Sequence, residues 1–199
     1  MSTKLALSDI ADVRAYERER EDFRRHVIAL KRRRRVPVGP VITLVFENRD
    51  TIRFQIQEMA RVEKLISDEA IQAELDTYNS LVPDAGELCA TLFIELTEDA
   101  QMHEWLPKLV GIERSAALRV GEDEVAELLR AAPEAAHEAQ LTREEVTAAV
   151  HYVRWTLTPE EVAAVEAGPV ALVIDHPAYA EQTQLDPGTV AELLADLRG

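Results

Sequence analysis

The sequence predicts an α+β fold: a long N-terminal helix, a β-hairpin, then a mixed sheet with helices. Three observations lead there. Residues 10–33 repeat apolar side chains at helical spacing. Residues 43–59, TLVFENRDTIRFQIQEM, alternate apolar and polar residues on both sides of a polar turn. Beyond residue 86, short β-rich runs alternate with capped helical stretches.

The first helix has Ser8 and Asp9 as N-cap candidates and Ile10, Val13, Tyr16, Phe23, Val27 and Leu30 as its apolar stripe. Arg20 occupies the seam where a hydrophobe is due. Either its stem is buried while its head escapes to water, or a carboxylate from another element holds the guanidinium. Pro37, Gly39 and Pro40 forbid the helix from continuing.

A three-residue loop at Asn48-Arg49-Asp50 would pair Phe46 with Ile52, Leu44 with Phe54 and Ile42 with Ile56, giving one wholly apolar face. Helical spacing then resumes near Gln57 through Met59, Val62 and Ile66. Ser67-Asp68 restarts a helix whose stripe is Ile71, Leu75, Tyr78 and Val82.

Residues 88–96 read as a strand, 97–106 as a short helix and 115–120 as another strand. The acidic, alanine-rich stretch 121–147 reads as two helical pieces divided by Pro133. A strand over 151–157 leads into Thr158-Pro159, an N-cap with proline at the first helical position. Residues 170–174 form a buried strand, and Asp186-Pro187 opens the terminal helix. Two segments echo each other as β-α-β-α units. The chain therefore reads as one domain over 1–199, with a subdivision at residue 86 as the alternative.

Composition narrows the function classes. At 199 residues, with 47% apolar and 30% charged side chains, the chain can bury a substantial core. No apolar run reaches the roughly 18–20 residues that span a bilayer, and the N-terminus lacks a signal-peptide core. A cytoplasmic protein with no membrane role is expected. Cys89, the single cysteine, rules out an intramolecular disulfide and sits among apolar residues as a buried thiol would.

The net charge of −15 is unevenly spread. Residues 14–35 carry ten Lys or Arg against four Glu or Asp, a local +6 in an otherwise acidic chain. The run KRRRR at 31–35 could bind nucleic acid, but no second basic stripe or nucleic-acid motif accompanies it. No nucleic-acid partner is expected. Cations at a helix C-terminus answer the macrodipole, and the same helix could dock on an acidic surface.

No phosphate-binding glycine loop, GxSxG, HExxH or EF-hand loop is present, and no cofactor is expected. Of the histidines His26, His103, His137, His151 and His176, none lies three or four residues from another. A dispersed metal set of His137, Glu138, Glu144 and His151 is the remaining candidate, since Glu144 and His151 are seven apart on a continuing helix. The densest polar ensemble is Tyr16, Glu17, Arg20, Arg24, Glu47, Asn48, Arg49, Asp50, Gln55, Gln57, Glu58 and Arg61. If the first helix meets the hairpin's polar face, these form a cleft for an anion or a charged segment. As acid–base machinery the group has no identifiable nucleophile.

The stretches YEREREDFRRHVIALKRRRRVPVG, TLVFENRDTIRFQIQEMARVE and AELDTYNSLVPDAGELCATLFIEL resemble a bacterial family catalogued as domain of unknown function 3501. LPKLVGIE, AVHYVRWTLTPEEV and IDHPAY extend the resemblance over nearly the whole chain. Cys89 departs from it, since the resemblance implies serine there. The genes of that family accompany those of rubrerythrin-like proteins and iron–sulfur oxidoreductases. The resemblance thus implies a non-catalytic accessory or binding role in non-haem iron or iron–sulfur redox metabolism, with a protein partner of that kind. An enzyme or metal-binding protein using the arginine–glutamate cluster or the histidines is one alternative. A structural homodimer paired through the hairpin edge is another.

Overall fold

The computed structural model describes residues 4–122, 126–135 and 146–199. A 3-10 turn, Leu7–Asp9, precedes helix α1, Val13–Arg34. Its N-cap is Asp12, whose carboxylate accepts from the Arg14 and Ala15 amides, rather than Ser8 or Asp9. Asp9 is engaged one turn earlier, on the Ala6 amide. Strand β1, Arg35–Val38, follows the helix directly and turns back as β2, Ile42–Glu47. Gly39 makes this turn with φ +67°, and a Cβ there would lie 2.3 Å from the Tyr179 hydroxyl oxygen.

The hairpin expected over 43–59 does not form. Residues Arg49–Glu63 are instead helix α2. Asn48 caps it by accepting from the Thr51 amide, while the Thr51 hydroxyl accepts from the Asn48 amide. The alternation was ambiguous because Ile52, Ile56 and Ala60 also recur at intervals of four, and that stripe is the buried one. Residues 42–47 are buried on both faces, so this strand has no wet side. Helix α2 ends at Lys64, the one described non-glycine residue with positive φ, and α3, Asp68–Tyr78, follows as expected.

Strands β3 (Glu87–Ile94), β4 (Ala116–Val120), β5 (Glu127–Arg130), β6 (Ala132–Pro133), β7 (Val150–Thr156), β8 (Val170–His176) and β9 (Tyr179–Gln184) complete the β structure of the described residues. Helices α4 (Asp99–Lys108), α5 (Pro159–Ala167) and α6 (Pro187–Arg198) lie among and after these strands. The α+β class holds, but the mixed sheet is replaced by two sheets whose neighbours all pair antiparallel. One has the order β1-β2-β3-β7-β6, the other β5-β4-β8-β9. Residues 127–130, expected to be helical, are strand β5, because Leu129 fills the space between the sheets. This breaks the echo between the two segments, since the matching residues 192–195 lie in α6.

The sheets face each other across one core built from Leu44, Phe46, Leu92, Trp155, Leu118 and Leu172 among others. The Trp155 indole NH donates to the Leu129 carbonyl, so the largest core side chain leaves no polar atom unmet. At one side β5 runs into β6 through Ala131 and joins the sheets. At the other, the Tyr179 and Thr183 hydroxyls of β9 donate to the Val38 and Pro37 carbonyls of β1, both at 2.6 Å. The result is a barrel closed by main chain on one side and by side chains on the other. The outer face of the first sheet is covered by α2, α3 and the N-terminal segment through a second cluster, Leu5, Ile52, Ile56, Leu75, Leu81 and Val82. No described helix is long and apolar enough to cross a membrane.

Candidate functional site

Helices α1 and α2 pack side by side, and their contact assembles most of the predicted polar ensemble. Tyr16 and Arg20, four apart on α1, share one face, while Glu58 and Arg61, three apart on α2, share another. Glu58 is the hub. Its Oε1 accepts from the Tyr16 hydroxyl at 2.7 Å and Arg20 Nε at 2.7 Å. Its Oε2 accepts from Arg20 Nη2 at 3.0 Å and Arg61 Nη2 at 3.2 Å. Glu17 lies 3.9 Å from Arg61 Nη1 at the edge of the group. Arg20 in the apolar seam is therefore held by a carboxylate from another element.

This geometry sets the electrostatics. The Arg20 hydrogen bonds, helped by those from Tyr16 and Arg61, hold the Glu58 carboxyl at about 2, against an ordinary value of 4.5. Burial, then the Glu58 charge, pushes the Tyr16 hydroxyl upward. A carboxylate that accepts four hydrogen bonds and gives up its proton so readily is a poor general base at neutral pH. The cluster works as a brace between two helices.

The remaining predicted residues apart from Arg24 are also engaged, each in a different contact. Gln57 is buried and clamps the chain ahead of α1, donating to the Ala11 carbonyl and accepting from its amide. Arg49 pairs with Asp9 at 2.7 Å, and Asp50 lies 2.9 Å from His26 Nε2. Asn48 is spent on its cap, and Gln55 bonds to Tyr152. Glu47 is buried on the covered face of the first sheet, where Oε1 accepts from the Thr91 hydroxyl and Oε2 has no partner among the described residues. Arg24 is exposed, with no side-chain partner among the described residues. The predicted cleft is thus split: the Glu58 cluster lies between helices, while Glu47 and Gln55 lie beneath α2.

The family pattern for proteins of unknown function catalogued as DUF3501 matches residues 4–197. The chain belongs to the DUF3501 family. It is similar to a solved structure described as a novel protein of unknown function from Burkholderia pseudomallei, at 37% identity and a TM-score of 0.87. That likeness covers 98% of this chain and 99% of the other. No functionally curated protein matches it.

Of the dispersed metal set in this DUF3501 chain, His137, Glu138 and Glu144 lie outside the described residues. His151 lies on strand β7, not on a helix continuing from Glu144. Its Nε2 lies 2.7 Å from the Thr147 hydroxyl and 3.0 Å from the Ala148 carbonyl, and burial lowers its pKa, favouring the neutral ring. Among the described residues no group of three or more His, Cys, Asp or Glu could hold a metal ion. Cys89 is buried, and burial raises its thiol to about 12.

Sequence reasoning missed Arg53 and Arg34. Arg53 donates to the Asp9 carbonyl, pairs with Glu19 and lies 4.7 Å from the Phe23 ring centroid. Its spacing of four from Arg49 would have exposed the role once 49–63 was read as helix. Arg34 is buried at the end of α1 and bonded to Asp196 and Glu192 of α6. Nothing in the sequence distinguishes it from Arg32 or Arg33. The end of the basic run thus meets an acidic surface of the chain itself.

Proposed function

We propose that this protein is a non-catalytic accessory that docks through the exposed face of α1 onto an acidic surface of a partner protein. The family resemblance supports a partner from non-haem iron or iron–sulfur redox metabolism, such as a rubrerythrin-like protein or an iron–sulfur oxidoreductase. The observation that carries the docking reading is the way the arginines of α1 divide. Arg20, Arg33 and Arg34 are paired with Glu58, Glu192 and Asp196 of other elements, and Arg35, which opens β1, is paired with Glu95. Arg18, Glu21, Arg25, Ile28 and Arg32 instead recur at three- and four-residue steps along one exposed face. Arg25 is tied only to its neighbour Asp22 on the same surface.

Such a face has a specific use on a chain of net charge −15. Exposed arginines steer and orient an acidic partner while costing little stability when unpaired. Ile28 in their midst adds an apolar contact that a purely electrostatic encounter would lack. Capture from the native host should enrich a redox enzyme, and Arg18→Glu with Arg25→Glu and Arg32→Glu should abolish that capture. Enrichment of no redox enzyme, or capture indifferent to the reversals, counts against the reading. Stoichiometric iron, zinc or manganese in the purified protein would turn it towards a metal-binding role.

A further inference from the structure

Arg14, Arg18, Glu21, Arg25, Ile28 and Arg32 are all exposed, and along α1 they follow one another at steps of four, three, four, three and four. This is the spacing of a helix–helix seam, and it runs almost the whole length of the 22-residue helix. Four of the six are arginines, and Arg14, Arg18 and Arg32 form no ion pair among the described residues. The one acid, Glu21, is answered by its own neighbour Arg20, 3.3 Å away.

The seam is fixed from beneath along its length. Arg20 is bonded to Glu58 of α2, the Phe23 ring centroid lies 5.7 Å from that of Phe54, and Arg34 is bonded to Asp196 of α6. Arg18, Arg25 and Arg32 stand seven residues apart on this fixed rod, a spacing of about 10 Å along the axis.

That spacing selects the partner's secondary structure. A helix returns to the same face every seven residues and so repeats at the same distance of about 10 Å. A strand returns to one face every second residue, roughly 6.5 Å, so its carboxylates fall out of step with the arginines. The fold carries the precedent: Arg20, Arg33 and Arg34 each meet carboxylates borne on a neighbouring helix. The pair that receives Arg34, Glu192 and Asp196, lies one turn apart on α6. Ile28, beside the exposed Ala29, is where two helices can approach closely and bury an apolar side chain.

We propose that the element docking on α1 is an acidic amphipathic helix laid along this seam. Its carboxylates face Arg18, Arg25 and Arg32 at intervals of one heptad, and an apolar side chain packs on Ile28. This rests on the docking reading above and adds the shape and sequence pattern of what docks.

Calorimetric titration of the full chain with a synthetic alanine-rich peptide of about 20 residues tests it, with glutamate at every seventh position and leucine midway between. Binding at roughly micromolar affinity is expected at low ionic strength. A proline in the middle of the peptide, which breaks its helix and leaves its charge unchanged, should weaken binding roughly tenfold or more. Arg18→Glu with Arg25→Glu and Arg32→Glu should abolish binding while circular dichroism shows the fold retained, and Ile28→Ser should weaken it several-fold. An intact peptide that does not bind, or whose binding ignores the reversals, overturns the inference. Equal affinity for the intact and proline-broken peptides, with both lost on reversal, overturns it too but leaves the docking reading standing.

Discussion

Arg20 on α1 grips Glu58 on α2 through two hydrogen bonds, Nε to Oε1 at 2.7 Å and Nη2 to Oε2 at 3.0 Å. Tyr16 and Arg61 complete the shell, so the carboxylate has little left to offer a ligand. Replacing Glu58 by Ala strands the half-buried Arg20 and leaves the buried Tyr16 hydroxyl without its acceptor. The expected cost is about 1–3 kcal/mol. Urea melts of Arg20→Ala, Glu58→Ala and the double variant should show clear coupling, and additive losses would deny that the pair acts as a unit.

The same carboxylate ties stability to pH. Folding depresses its pKa from 4.5 to about 2, so the unfolded chain binds the proton more readily. The stabilisation is therefore complete above 4.5 and fades as pH falls towards 2. Glu58→Gln cannot ionise, so its urea midpoint should fall less steeply than that of the native protein across this acidic window. Parallel curves for the two proteins would be the contrary result.

At the start of α2, Asn48→Ala removes the cap on the Thr51 amide. A loss of about 1 kcal/mol is expected from thermal or urea unfolding. Asn48→Asp, which keeps the acceptor, should lose much less. If residues 49–63 were the second strand of a hairpin, the two variants would not separate in this order.

Gly39 tests how the barrel closes. Any Cβ there meets the Tyr179 hydroxyl at 2.3 Å and Glu181 Cγ at 2.6 Å, on a backbone with φ +67°. Gly39→Ala should lower stability by more than about 1 kcal/mol, from strain and the displaced Tyr179 together. Tyr179→Phe, which removes only the hydroxyl bonded to Val38, should be milder and partly relieve Gly39→Ala when combined with it.

Cys89 should be inert in the folded protein. Burial raises its thiol to about 12, leaving almost no thiolate at neutral pH. A thiol reagent should modify it only in denaturant, at a rate that tracks unfolding. Rapid labelling of the native protein would mean that the α2–α3 cover opens readily over this face of the sheet.

Much of the architecture was legible from local chemistry. Thr158-Pro159 and Asp186-Pro187 start helices where a cap precedes proline, and both do so in the folded chain. Pro37 and Gly39 stop α1 in the expected region, and the apolar run from 170 pairs as a buried strand. Arg20, an arginine where a hydrophobe was due, left open whether its head reached water or met a carboxylate, and the fold supplies Glu58.

What failed were the segments whose pattern satisfies two periods at once. In TIRFQIQEM, Ile52 and Ile56 fit a strand paired with β2 and equally a helical stripe. Only tertiary structure chose between them, because β2 already has β1 on one side and β3 on the other. No edge of β2 remained for residues 51–56 to pair with. The site divided for the same reason: reading 49–63 as helix sends Glu58 towards α1 and Gln55 towards Tyr152, on different faces. Among the arginines at 31–35, the sequence by itself determined only that positive charge gathers at a helix end. The packing of α6 decided that Arg34 is buried on Asp196 while Arg32 faces water, since identical side chains differ only in what the fold brings to them.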